Sequence, residues 1–383
     1  MRRRLAILGS TGSIGESAID VAEGLRDQFE IVGLGAGRRW EKLAAQVNAW
    51  HPAVAALSDP DAAANLQRVC TNGTRVFAGA DALCDLVRES RPDFVLSAVV
   101  GAAGLPATIT AVEQCRSVGL ANKESLVVAG SILMPLAKKT GCSLVPVDSE
   151  HSAIFQALQS GRGNEVSKIY LTGSGGPFRE WSADRIQNAT LDEALRHPTW
   201  QMGPKITIDS ATLANKALEI IEACWLFDLP PEKVEVLIHP ESIVHSMVEF
   251  CDGSVIAQLG TPDMRTPIQY AMTYPHRAPN RAPTLKWSDI KTLRFEQPDA
   301  KRFPALRLGY EAAAAGGNAG AVFNAANEIA VDAFRAGRIG FGRIPEFIEA
   351  ALKDTTHNAT PSLDDLLNTD REVRTKVTEW TRS

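Results

Sequence analysis

Over the first 150 residues, short runs of consecutive apolar residues alternate with stretches of helical periodicity. Arg4–Leu8 reads as a short buried strand, Gly9-Ser10-Thr11-Gly12-Ser13-Ile14-Gly15 as a glycine-rich loop, and Glu16–Leu25 as an amphipathic helix. Phe29–Leu34 and Phe94–Val100 are further strands, Ala107–Val118 a helix, and Gly119–Asn122 the end of another strand. Leu126–Lys139 is helical and Ser143–Val147 a strand. Strands separated by helices predict βαβ units and a doubly wound, mostly parallel sheet of Rossmann-like α/β type.

The pattern changes after about residue 150. Val166–Thr172 is a strand running into Gly173-Ser174-Gly175-Gly176-Pro177, and Ser210–Phe227 a strong helix. Val234–His239, Ser242–Phe250 and Ser254–Leu259 are strands, with Asp252-Gly253 marking a hairpin. Residues 277–303 are proline-rich and lack periodicity; beyond them the chain is alanine-rich and helical. The expected organisation is a doubly wound α/β domain over 1–150, an α+β domain over 151–276, a linker over 277–303 and an alanine-rich helical domain over 304–383.

Composition narrows the classes. With 383 residues, 45% hydrophobic and 22% charged, the chain is an ordinary globular protein able to bury a sizeable core. Forty basic against forty-five acidic residues leave no basic surplus for nucleic acid. Six cysteines with no close pair suit a reducing compartment, so a cytoplasmic location is expected. The apolar run after Arg2-Arg3-Arg4 is too short for a signal peptide, and no stretch is long enough for a membrane helix.

The candidate chemistry starts at the glycine loop. Glycines between a first strand and a helix let backbone approach a pyrophosphate, and the helix offers free N–H groups. The spacing GxxGxxG also suits a plain tight turn. The second strand ends in Gly37-Arg38-Arg39, where NAD enzymes usually place an acid; a cationic pair there suits the 2′-phosphate of NADP.

Asp148 and Glu150 follow the last N-terminal strand. In an extended chain they point to one side and suit a hard divalent cation, although a DxE is more often a turn or a cap. In Asp209–Glu222, Asp209 and Ser210 read as N-caps, while Asn215, Lys216, Glu219 and Glu222 share one helix face. That face is either solvated, with a Lys216–Glu219 contact, or a site where Glu219 binds a metal and Lys216 an anion, with Ser174 donating to the same phosphate. His197–Gly203, bounded by proline and glycine, carries Trp200 and Met202 and reads either as a lid or as a loop packed on the core. Lys123 lies at the sheet edge where parallel-sheet ligands bind, and Asn122 is a candidate helix cap. His239 and His245 read as structural rather than zinc-binding.

Together these residues resemble the 1-deoxy-D-xylulose 5-phosphate reductoisomerase family. The matching stretches are Gly9–Gly15, Asn122–Leu126, Pro146–His151, Leu171–Phe178, His197–Gly203, Asp209–Glu222, Leu237–Met247, Gly260–Pro267 and Asn324–Glu328, in order along most of the chain. The resemblance implies a metal-assisted skeletal rearrangement and NADPH-dependent reduction to 2-C-methyl-D-erythritol 4-phosphate, in the non-mevalonate route to isoprenoids. It implies that Asp148, Glu150 and Glu219 hold Mg²⁺ or Mn²⁺, with Lys123 beside them. Ser149 and Lys123 would contact the substrate's hydroxyl end, and Ser174, Ser210, Asn215 and Lys216 its phosphate. His197 would touch substrate, with Trp200 and Met202 covering it. Thr11, Gly12, Ser13, Ile14, Gly37, Arg38, Arg39, Asn122, Glu124 and Gly203 would bind NADPH. A homodimer and a C-terminal helical bundle over 304–383 are implied as well, with 1–150 as the NADPH-binding domain and 151–276 carrying catalysis and dimerisation. Relatives often carry Lys and Asn in place of Arg38 and Arg39, are longer around 160–166, and vary at Thr199 and Gln201. Two other readings use parts of this set: another NADP-dependent dehydrogenase, such as a semialdehyde or homoserine enzyme, and a nucleotide sensor without catalysis. Neither requires three converging carboxylates.

Overall fold

The computed structural model describes residues 2–70, 73–200 and 202–382. Gln201 lies outside the described residues. The chain forms two compact units, one of residues 1–125, 133–152 and 263–283, the other of 126–132, 153–262 and 284–383.

The first unit is built on seven parallel strands: β1 (Arg3–Leu8), β2 (Phe29–Ala36), β3 (Val54–Leu57), β4 (Arg75–Ala78), β5 (Phe94–Ser97), β6 (Ser117–Leu120) and β7 (Ser143–Pro146). Their order is β4-β3-β2-β1-β5-β6-β7, so the direction of winding reverses at β1. β3, β5 and β6 are buried at every residue, which is why their sequences are unbroken apolar or small runs rather than alternating ones. In such sheets ligands bind beyond the carboxyl ends of strands flanking the reversal. The loops after β1, β5, β6 and β7 all leave from those ends.

The second unit holds a mixed sheet of β8 (Val166–Gly173), β9 (Val234–Ile238), β10 (Val244–Phe250) and β11 (Val255–Leu259), ordered β11-β10-β8-β9. β8 and β9 run parallel and the other pairs antiparallel. The hairpin forms at Asp252-Gly253, with Gly253 at φ +83° and the Asp252 carboxylate accepting from the Ser254 N–H. Helices Ala214–Phe227, Pro304–Ala315, Ala319–Arg335, Arg343–Asp354 and Leu363–Trp380 pack their alanine-, leucine- and phenylalanine-rich faces into the unit's larger core.

Several local expectations are corrected. Helix Ala107–Val118 becomes helix Leu105–Gln114, because Ser117–Leu120 is drawn between β5 and β7 as a strand. β5 stops at Ser97 rather than Val100. The helix expected over Ser210–Phe227 is two helices, Pro204–Thr212 and Ala214–Phe227, broken at Leu213 with φ +59°. Asp209 and Ser210 therefore lie in the last turn of the first helix and are not N-caps.

Candidate functional site

In the first unit, Gly9 adopts φ +87°, and a Cβ there would lie 2.4 Å from the Ala98 carbonyl oxygen. A Cβ on Gly15 would lie 2.3 Å from the Gly9 oxygen and 2.5 Å from Ser10 Cα. These contacts are with backbone, so only glycine fits, and the loop is drawn tightly over β1. The Gly9 and Ser10 N–H groups both donate to the Gly35 carbonyl at the end of β2. Helix Ser13–Gly24 begins at Gly12 with no side chain capping it. Its first N–H groups and the dipole's positive end are thus presented beside Thr11, Ser13 and Ile14, as an anion site requires.

Gly37 has open space where a side chain would stand, and Arg38 follows, 86% exposed, with Nε 3.2 Å from Asp59. Arg39 is exposed as well. Asp59 also caps helix Pro60–Val69 through the Ala62 N–H. The sequence reading missed Asp59, and missed Gln46, which exchanges hydrogen bonds with Ser10. Both lie well beyond the glycine loop, and their spacing carries no signal.

Asn122 occupies the N-cap position of helix Lys123–Thr140, but its side chain does not cap. Its amide donates instead to the Val99 and Gly101 carbonyls and to Glu124, pinning the loop after β5 to the loop after β6. Next to it, Lys123 Nζ lies 2.5 Å from Asp148 Oδ2. The extended geometry expected for Asp148 and Glu150 is absent. The chain leaves β7 at Pro146 and enters helix Ser149–Ala157, and the Ser152 N–H donates to the Asp148 carbonyl. The two carboxylates instead occupy a helix N-terminus, where the dipole favours negative charge. The Ser149 hydroxyl donates to Glu150 at 2.7 Å.

In the second unit, the polar face of helix Ala214–Phe227 is not solvated. Lys216, Glu219 and Glu222 are all buried. Lys216 Nζ is 2.5 Å from Glu219 Oε2 and 2.5 Å from the Thr172 carbonyl of β8, and Asn215 donates its amide to Glu219. The left-handed Leu213 lets Ser210, on the preceding helix, stand close in sequence to Asn215 and Lys216 without continuing their spiral.

The Gly173–Pro177 loop brings Ser174 to His197, with Oγ 3.0 Å from Nε2. His197 Nδ1 accepts from the Thr199 and Trp200 N–H groups at 3.1 and 2.9 Å. An imidazole whose Nδ1 accepts twice carries its proton on Nε2 and donates it to Ser174. Burial reinforces the neutral form by lowering the His197 pKa to about 4. Ser174 Oγ thus receives the imidazole N–H and the Gly176 N–H, and its own hydroxyl proton is left to donate elsewhere. Trp200 and Met202 are half-buried, and Trp200 lies 6.2 Å from the His245 ring. Gly203 is the N-cap of helix Pro204–Thr212.

Among the described residues, the candidate metal-ligand groups include neither His239 nor His245. The His239 ring is buried, stacks on Phe295 and pairs through Nδ1 with the Arg294 carbonyl. Burial lowers the His245 pKa to about 4.

Comparison with known proteins gives the chain a family. Family models described as 1-deoxy-D-xylulose 5-phosphate reductoisomerase and its two C-terminal domains match residues 5–130, 144–227 and 259–376. A 1-deoxy-D-xylulose 5-phosphate reductoisomerase of Chlorobium chlorochromatii is 50% identical over 375 residues, covering 97% of this chain and 98% of its own. That of a Geobacillus strain is 48% identical over 374 residues, with 97% and 98% covered. The Zymomonas mobilis enzyme in complex with NADPH superposes with a TM-score of 0.94 at 42% identity, covering all of both chains. A DOX-P reductoisomerase in complex with NADPH, fosmidomycin and magnesium gives 0.94 at 40% identity, with 99% and 98% covered. The chain belongs to the 1-deoxy-D-xylulose 5-phosphate reductoisomerase family.

Proposed function

We propose that this protein converts 1-deoxy-D-xylulose 5-phosphate to 2-C-methyl-D-erythritol 4-phosphate, using NADPH and a divalent cation, in the non-mevalonate supply of isoprenoid precursors. The observation that carries the reading is the burial of Lys216 and Glu219 on one helix face, a costly arrangement that a merely solvated helix does not need. Full-length similarity to reductoisomerases supports it.

Asp148, Glu150 and Glu219 are the proposed metal ligands. All three are carboxylates, with no thiol or imidazole among them, and such a hard-oxygen set fits Mg²⁺ or Mn²⁺. Bound there, the cation supplies Lewis acidity to the ketone and its neighbouring hydroxyl, and NADPH supplies the hydride. Lys123, 2.5 Å from Asp148, stands with Ser149 to contact the substrate's hydroxyl end.

The phosphate falls to Ser174, Ser210, Asn215 and Lys216. His197 keeps Ser174 in the donating orientation and, being neutral, leaves Lys216 as the local positive charge. Trp200 and Met202 cover the substrate and exclude water. Thr11, Gly12, Ser13 and Ile14 cradle the pyrophosphate of NADPH, while Gly37, Arg38 and Arg39 receive its 2′-phosphate. Asn122, Glu124 and Gly203 complete the cofactor contacts. In domain terms, 1–150 binds cofactor, 151–276 carries catalysis and dimerisation, 277–303 links, and 304–383 is the helical bundle.

A homodimer is part of the proposal. β11 is an edge strand, and it exposes Val255 at 48% and Ile256 at 38%, an apolar edge of the kind that sheets usually cover. Sedimentation tests this: a monomer at micromolar concentration refutes it. A cytoplasmic location is also proposed. All six cysteines are free, and among the described residues no helix is long and apolar enough to cross a membrane.

The direct test is NADPH oxidation by the purified protein with 1-deoxy-D-xylulose 5-phosphate, with Mn²⁺ and with a chelator. Metal-dependent oxidation giving methylerythritol phosphate is expected. No oxidation by folded, NADPH-binding protein overturns the reading. Near-normal turnover of Glu150→Gln at limiting metal overturns the ligand assignment.

A further inference from the structure

Asn324–Glu328 has no part in the proposed reaction, yet its polar side chains lie inside the second unit. Asn324 and Asn327 are completely buried on helix Ala319–Arg335. Asn327 Nδ2 donates to Asp209 Oδ1 at 2.9 Å, joining residues 118 positions apart. Asp209, itself buried, has its other oxygen 2.7 Å from Lys205 Nζ, one turn earlier on helix Pro204–Thr212. Behind Asn327, Glu328 accepts from Asn324 at 3.0 Å and from Arg374 at 2.7 Å, and Arg374 is also held by Asp370. Burial pushes the Glu328 carboxyl up, but the charges of Arg374 and Lys205 and the hydrogen bonds from Arg374 and Asn324 together bring it below its usual range, so Lys205 is attracted from this side too.

Helix Pro204–Thr212 starts at the end of the lid and finishes with Ser210 in its last turn. Its apolar contacts settle which face is buried, but being non-directional they hold a single polar group less closely than a hydrogen bond does. A hydrogen bond from an amide to a buried carboxylate is directional and is among the stronger kinds.

We propose that Asn327 is a positioning residue: by holding Asp209, with Glu328 and Arg374 fixing the opposite side, it sets the rotation of helix Pro204–Thr212 and so the placement of the Ser210 hydroxyl and of the lid's end. This rests on the reading of Ser210 as a phosphate contact. Asn327 is fully buried and is not among the proposed substrate or cofactor contacts. Its loss therefore weakens capture of the phosphosugar much more than NADPH binding, which on this helix involves the N-cap Gly203 alone among its proposed contacts.

The test is steady-state kinetics of Asn327→Ala and Asn327→Asp beside wild type, with thermal melting of each. For Asn327→Ala, KM for 1-deoxy-D-xylulose 5-phosphate should rise about tenfold, the scale of one lost bond to a buried charge. KM for NADPH should stay within about twofold. Asn327→Asp sets a second carboxylate against Asp209, among Lys205, Glu328, Arg374 and Asp370. At about pH 8 its phosphosugar KM should be raised. Toward about pH 6 the carboxylate pair shares a proton, a donor is restored, and KM should approach the wild-type value at that pH. If Asn327→Ala does not fold, this acid rescue decides alone. A lower melting temperature with both KM values unchanged, or no rescue, overturns the inference. Inactive wild type would overturn the proposed function instead.

Discussion

Replacing Lys216 by methionine isolates the charge at the centre of the second unit's polar face. The ammonium lies 2.5 Å from Glu219 Oε2 and 2.5 Å from the Thr172 carbonyl, with the lysine side chain 5% and the glutamate 0% exposed. At an effective dielectric of about 20, two charges this close attract by about 6–7 kcal/mol. Much of that offsets the cost of removing both ions from water. What remains on deleting one partner is about 3–5 kcal/mol, because Glu219 keeps the Asn215 amide but loses the Lys216 counter-charge while still buried. Spread over a unit of roughly 200 residues, that is a fall in Tm of about 10 °C. Differential scanning calorimetry without metal measures it. Adding Mg²⁺ should recover part of the loss in Lys216→Met, since a second cation neutralises Glu219. Removing both charges, in Lys216→Met with Glu219→Leu, should melt above the single variant. Both variants should lose phosphosugar binding. A single variant that melts within about 1 °C of wild type, or a double variant no more stable than the single, would refute the reasoning.

Gly15→Ala should cost about 1–3 kcal/mol of stability and about tenfold in NADPH affinity, since its methyl meets fixed backbone 2.3 Å away; unchanged cofactor fluorescence titration would count against a tight pyrophosphate loop. Arg38→Ser should lower the preference for NADPH over NADH by about tenfold, and an unaltered ratio of kcat/KM values would remove Arg38 from the 2′-phosphate. His197 gives a pH signature. Its pKa is lowered from 6.5 to about 4 by burial, so the stability it lends is complete above about pH 6.5 and is lost as pH falls toward 4. The full shift corresponds to about 3 kcal/mol, and partial solvation of the ring discounts this to roughly 1–2 kcal/mol. Urea unfolding of wild type and His197→Gln between pH 7 and about 4.5 should converge toward acid by that amount; parallel curves would show that His197 is not held neutral.

Most of the first sheet was legible in the sequence, because strands covered on both faces leave bare apolar runs bounded by glycine. The break at Leu213 was not. Leucine carries no preference for the left-handed conformation, and the helical periodicity of Ser210–Phe227 continues straight through it. At the bend Thr212 Oγ1 accepts the Ala214 N–H, a local bond that the apolar pattern does not register. The turn into a helix at Ser149 was hidden for a similar reason: Asp-Ser-Glu after a strand suits either an extended end or a helix start. Among the candidate site residues, those with charged or hydroxyl side chains in motifs could be named from the sequence. The Thr172 carbonyl on Lys216 and the Asn327 amide on Asp209 were not, since one is backbone and the other lies 118 residues away.

The strand order of the first sheet also acts as a ruler. The glycine loop leaves β1 and Asp148 follows β7, with β5 and β6 between them. Three strand spacings of about 4.8 Å put roughly 14 Å of sheet edge between the helix N-terminus and that carboxylate. A ligand that anchors at one end and acts at the other must be long and must lie across the strand ends. If the glycine loop anchors the cofactor as proposed, a mononucleotide half should occupy that end without reaching the other, so such fragments are expected to compete with NADPH.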